Sequence, residues 1–133
     1  MKLLVRHLDG LRFQVISGEH AIGVDAALQD GGAGTALSAP QLFAGAVGAC
    51  ILEFVANSCR LNGLLIERLS LEMACEEAVQ PRRIAAIQAT IHIEPEPPEN
   101  VRSRLLGVAM HATLLNTLVH SPDVVVQFSS RSG

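Results

Sequence analysis

The sequence predicts an α+β domain, and three observations carry that prediction. Short alternating stretches with turn signals between them open the chain; one long apolar helical pattern follows; two further alternating stretches and two helical pieces come next. Strands and helices are grouped rather than interleaved as βαβ units, which is the α+β pattern.

Leu3 to Leu8 and Leu11 to Ile16 read as a hairpin, with Asp9-Gly10 supplying the positive φ angles of a type I′ turn. Ala21 to Asp25 is a third short strand after the turn Ser17-Gly18-Glu19-His20. Gln29 to Ala36, with Gly31, Gly32 and Gly34, reads as a flexible loop. Ser38 caps the next helix and Pro40 suits its first turn, where a missing N–H costs nothing. That helix runs to about Leu61, and Asn62-Gly63 ends it. Phe43, Val47, Cys50 and Phe54 share one apolar face, and the small residues Ala44, Gly45, Ala46, Gly48 and Ala49 predict a helix packed on all sides.

From Ile66 to Glu76 the residues Leu69, Leu71, Met73 and Cys75 form the dry face of a strand. After a turn at Gln80-Pro81-Arg82-Arg83, read as solvated, a second strand covers Ala85 to Ile93. Glu94-Pro95-Glu96-Pro97-Pro98 is a stiff connector, because proline can join neither a ladder nor a helix interior. An amphipathic helix from Val101 to near His111, a helical piece from Thr113 to Val119 and a closing strand from Val124 to Phe128 complete the prediction.

Composition bounds the function. The 133 residues suit a single domain, and a chain of this size buries roughly 65–70% of its unfolded surface. Yet 49% of the residues are apolar, which leaves apolar surface for a partner. Aromatic residues make up 3%, Trp and Tyr are absent and the net charge is −3, so stacking on bases and pairing with phosphates are both disfavoured. The apolar run Leu42 to Leu52 is shorter than the ~20 residues a bilayer crossing needs. Neither nucleic acid nor a membrane is expected as a partner. Arg6, His7 and Asp9 interrupt any signal-like start, and three cysteines, an odd number, suit a reducing cytoplasm.

No motif points to a cofactor. Gly31 to Thr35 lacks the Gly-Lys-Ser/Thr of a phosphate cradle, and the five histidines, at 7, 20, 92, 111 and 120, have no metal-site spacing. No Gly-x-Ser-x-Gly elbow occurs. Cys50 taken alone reads as a core residue, too far past Pro40 for the helix dipole to activate it. Cys59, on the opposite side of the helix, and Cys75, on the dry strand face, read as structural.

The stretch Ser38-Ala39-Pro40-Gln41-Leu42-Phe43-Ala44-Gly45-Ala46-Val47-Gly48-Ala49-Cys50 resembles the central-helix signature of the OsmC/Ohr family, with its Pro-x-Glu-Leu-type entry and Gly-Ala-Cys end. His111-Ala112-Thr113-Leu114-Leu115-Asn116-Thr117-Leu118 is similar to the family's second motif, His-Cys-x-x-x-x-x-Leu, and the N-terminal hairpin and closing strand also resemble it. The resemblance implies an OsmC-like fold with antiparallel sheets around a central helix, an intertwined homodimer with sites at the subunit interface and, in active members, thiol-dependent reduction of organic hydroperoxides. It implies a peroxidatic cysteine at Cys50, a thiolate-stabilising arginine at Arg12 or Arg6, a resolving position at Ala112, which has no sulfur, and a glutamate position at Gln41 or Pro40, which carries no charge. Two readings follow: a one-cysteine peroxidase served by an external thiol, and a non-enzymatic dimer that binds a small hydrophobic molecule.

Overall fold

The computed structural model describes residues 1–130. Its elements are β1 (Leu4–Asp9), β2 (Arg12–Ser17), β3 (His20–Asp25), a 3-10 turn (Leu28–Asp30), α1 (Ala39–Leu61), β4 (Arg68–Ala78), β5 (Arg83–Glu94), α2 (Glu99–Ala109) and α3 (Thr113–Val119). β1, β2 and β3 form one antiparallel sheet in sequence order, and β4 pairs antiparallel with β5 in a second. The predicted α+β order holds through α3.

The first hairpin turns one residue later than expected. Asp9 pairs with Arg12, so the loop is Gly10-Leu11, and a register shift between His7 and Asp9 absorbs the extra residue. Among the turn residues only Gly10 takes a positive φ, +49°, so a single glycine at the first loop position suffices.

α1 is set by its ends. Ser38 Oγ accepts the Gln41 N–H at 3.3 Å, while Gln41 Oε1 accepts the Ser38 N–H at 2.9 Å, a reciprocal capping box followed by Pro40 in the first turn. Asn62 and Gly63, at φ +64°, terminate the helix as predicted. Its buried stripe is Val47, Ile51, Val55 and Cys59, at steps of four, packed with Leu105 and Ala109 of α2 and with Ala112. Gly48 is buried where α1 crosses β4, and a Cβ there would lie 2.6 Å from Met73 Sδ.

The expectation of a helix packed on all sides is corrected. Of the predicted face only Val47 is fully buried; Cys50 and Phe54 are half-buried at its flank, and Phe43 is 46% exposed. The second sheet, α2 and α3 cover one side of α1, and β3 alone of the first sheet touches it, so the remaining face is open within one chain. α1 runs to Leu61 as predicted, and at 23 residues it is by length and composition apolar enough to cross a membrane. Its stripe instead lies inside the protein core.

Three further expectations change. Residues 121–130 form no strand, and Val124, Val125, Val126 and Phe128 are exposed, because an extended segment without a ladder partner has nothing to pair with. Cys75 is exposed rather than dry: it shares the face of Leu71 and Met73, but the β4–β5 hairpin runs on past the part that α1 covers. The glycine-rich loop is an ordered structure, held by Gly32 N–H to Ala27 O at 3.0 Å and Asp25 N–H to Leu37 O at 3.1 Å. A Cβ on Gly32 would sit 1.8 Å from Ala26 O, so the chain passes itself too closely there for any side chain.

Candidate functional site

Cys50 projects from the flank of α1, half-buried against the core cluster that contains Ala112. Ala112 is fully buried and stands at the start of α3, where its carbonyl accepts the N–H groups of Leu115 and Asn116. Cys50 thus borders the core cluster to which Ala112 belongs. Cys59 lies in the core itself, where burial pushes its thiol pKa up, with the charge of Arg104 pulling weakly the other way. The three thiols occupy three environments: Cys59 buried, Cys50 half-buried and Cys75 exposed.

Gln41 forms no hydrogen bond to Arg6 or Arg12 among the described residues, and it lines a groove with Arg82 and Arg83. Its side-chain oxygen is engaged by the Ser38 N–H, so it secures the helix start. Arg6 donates from Nε to Gln14 Oε1 at 2.8 Å, and Arg12 pairs with Asp9 at 3.6 Å. Among the described residues no hydrogen bond joins Cys50 to either arginine. The register places the two arginines together. Arg6 lies opposite Gln14 and Arg12 opposite Asp25, so both arginines project from one face of the first sheet. Phe13 and Val24 lie on the other face and line a groove of about 560 Å³ with Pro40 and Gln41. A second groove, of about 550 Å³, lies between β5 and α2 and is lined by Ile91, Ile93, Leu105 and Leu106. Cys50 lines neither groove.

One residue of note escaped the sequence reading. Asp25 is 1% exposed, and its carboxylate accepts the Thr35 hydroxyl at 2.7 Å, the Thr35 N–H at 2.9 Å and the Ala33 N–H at 3.4 Å. These bonds, led by the Thr35 N–H and hydroxyl, hold its pKa below the ordinary 3.8, and the charge of Arg12 adds to the effect. The signal was an aspartate closing a strand just before a Gly-Gly-x-Gly-Thr loop. Arg82, read as solvated, forms a two-point pair with Asp30 at 3.1 and 3.2 Å, tying the β4–β5 tip to that loop.

These features define a two-sheet α+β protein whose central helix presents a half-buried cysteine. No family model matches the sequence, and no curated protein matches it. Solved structures do match. A Psychrobacter arcticus 273-4 protein named for osmotic stress induction and detoxification has a TM-score of 0.83 at 21% identity, over 88% of this chain and 87% of its own. An OsmC-like protein from Mycoplasma pneumoniae has a TM-score of 0.77 at 14% identity, over 90% and 87%. An organic hydroperoxide resistance protein OsmC from Legionella pneumophila has a TM-score of 0.63 at 17% identity, over 89% of each chain. The chain has the OsmC-like fold that its central helix resembles.

Proposed function

We propose that this chain acts in the oxidative stress response as a homodimer of the OsmC/Ohr kind, in a reducing cytoplasm, with Cys50 reducing organic hydroperoxides. The observation that carries this reading is the place of Cys50. It is the half-buried cysteine on the central helix of an OsmC-like fold, bordering the region that holds Ala112. The Cys50 sulfur attacks the terminal oxygen of R–O–O–H, the O–O bond breaks, and the alcohol leaves with a proton. Cys50 becomes a sulfenic acid. One external thiol condenses with it and releases water; a second displaces Cys50 and carries off the disulfide.

Cys59 cannot resolve that sulfenic acid, and Cys75, on the β4–β5 hairpin, is expected not to reach it. Cys59 lies nine positions along the same helix. That is about 13.5 Å in rise, against the roughly 7 Å between Cα atoms that a disulfide spans. Ala112 offers no sulfur. Dimedone therefore traps Cys50 after one equivalent of an organic hydroperoxide, and Ala112→Cys diverts the product to a disulfide with Cys50, read as a two-hydrogen mass loss. A wild-type intrachain disulfide overturns the one-cysteine cycle.

Dimerisation is supported by the open face of α1 and the unpaired C-terminal segment. No hydrogen bond joins Cys50 to Arg6 or Arg12 among the described residues of one chain, and this reading brings one of the two arginines to Cys50 at the subunit interface. The deciding experiment is peroxide consumption with several thiol donors, by wild type and by Cys50→Ser. Loss of turnover in Cys50→Ser supports the peroxidase. Absence of turnover in both supports the second reading, a non-enzymatic dimer that binds a small hydrophobic molecule, which the missing sulfur at 112 and the helix-capping role of Gln41 favour.

A further inference from the structure

β4 and β5 form a sheet of two strands, so each has an edge whose N–H and C=O groups pair with no further strand among the described residues. Along β5 that edge borders the groove of about 550 Å³. The consecutive residues Ala89 to Glu94 line it from both faces of the strand, so the edge itself meets the groove. Phe13 and Val24, by contrast, reach the other groove from one face of their sheet. The two sides of the β5 groove differ in character. Half-buried Ile91 and Ile93 stand with Leu105 and with Leu106, which is 59% exposed, while Thr90 and His92 lie on the opposite, polar side. A bare edge beside an apolar wall suits an extended strand, which gains main-chain hydrogen bonds along the edge and buries alternate side chains against the wall.

The molecule carries a segment of matching pattern. Asp123 to Phe128 joins no ladder among the described residues and is exposed throughout. Val124, Val126 and Phe128 alternate with Val125 and Gln127, giving one fully apolar side, and the segment is as long as the stretch of β5 that lines the groove. We propose that the free edge of β5 accepts the 123–128 segment of a second copy of this chain, with Val124, Val126 and Phe128 on the side of Ile91, Leu105 and Leu106. Each copy has both groove and segment, so two copies exchange segments reciprocally in a closed two-fold contact. Asp123 and Glu94 carry the same charge, and like charges directly opposite repel, so the segment lies with Val125 opposite Thr90 and Asp123 clear of Glu94. This rests on the homodimer proposed above and not on the chemistry of Cys50.

The test places Thr90→Cys and Val125→Cys in one chain, in a Cys50→Ser/Cys75→Ser background that keeps the buried Cys59. Mild oxidation should give a covalent dimer, read by intact mass and non-reducing electrophoresis. Thr90→Cys with Val126→Cys, which puts the thiols on opposite faces, should give at least about tenfold less. Leu106→Glu, at a position already exposed in one chain, should weaken self-association about tenfold in sedimentation equilibrium. A disulfide within one chain, read as a two-hydrogen mass loss without a dimer, overturns the exchange, and covalent ladders beyond the dimer overturn its reciprocity. A dimer that gives no cross-link between positions 90 and 125, or that tolerates Leu106→Glu, overturns the β5 groove as the seat and leaves the homodimer standing. A chain that sediments as a monomer overturns both.

Discussion

The two halves of this molecule are built to different degrees of completion. The helical half, α1 with β4, β5, α2 and α3, closes a core of Val47, Ile51, Val55, Cys59, Leu105, Ala109 and Ala112 within one chain. The first sheet does not. Every residue of β1 is exposed, and apolar side chains such as Val5, at 58% exposure, have no covering layer. A sheet needs a second layer to bury its apolar face, so the difference teaches that an apolar strand can form by pairing alone while its face stays uncovered within one chain.

The sharpest way to break this comparison is to truncate both halves. Ile51→Ala, inside the closed core, should cost about 3–4 kcal/mol in urea unfolding. Val5→Ala should cost less than about 0.5 kcal/mol in the dissociated chain, where its side chain is already wet. Equal losses would refute the contrast. Charges on the C-terminal segment test the open surface directly. Val124→Asp with Val126→Asp should weaken self-association on the order of 100-fold in sedimentation equilibrium, with little change in helix content by circular dichroism.

Two glycines of α1 sharpen the comparison further. At Gly48 an added Cβ meets Met73 Sδ and Leu71 Cδ2, so Gly48→Val should loosen α1 from β4 at a cost of roughly 1–3 kcal/mol. At Gly45 the space is open, and Gly45→Ala should raise the stability of the dissociated chain by up to about 1 kcal/mol through helix propensity. The most confined effect belongs to Asp25. Its folded pKa lies below the ordinary 3.8, so the stability it supplies is complete above that value and is lost as pH falls through the lower folded value. Urea midpoints measured below about pH 4 should fall more steeply for wild type than for Asp25→Asn.

Local signals determined most of the elements. Ser38, Pro40 and Asn62-Gly63 fixed both ends of α1, alternation marked β4 and β5, and the Thr113 to Val119 helix was legible to the residue. These features depend on backbone geometry and nearest neighbours, which a sequence states directly. The hairpin turn was misplaced by one residue because a bulge depends on cross-strand register, which no local pattern encodes.

The candidate site was legible only as a list. Cys50, Arg6, Arg12, Gln41 and Ala112 could be named in advance, but not what each touches. Gln41 turned to the helix cap, where the nearest unsatisfied N–H lay, and the arginines turned to partners on their own sheet. The order of burial among Cys50, Cys59 and Cys75 depended on how far α1 reaches along the β4–β5 hairpin. Val124 to Phe128 has the sequence of a strand and no ladder in one chain. The sequence by itself determined the local conformations and the chemistry available. Only the tertiary structure decided which faces are covered and which charges meet, because burial and pairing belong to segments far apart along the chain.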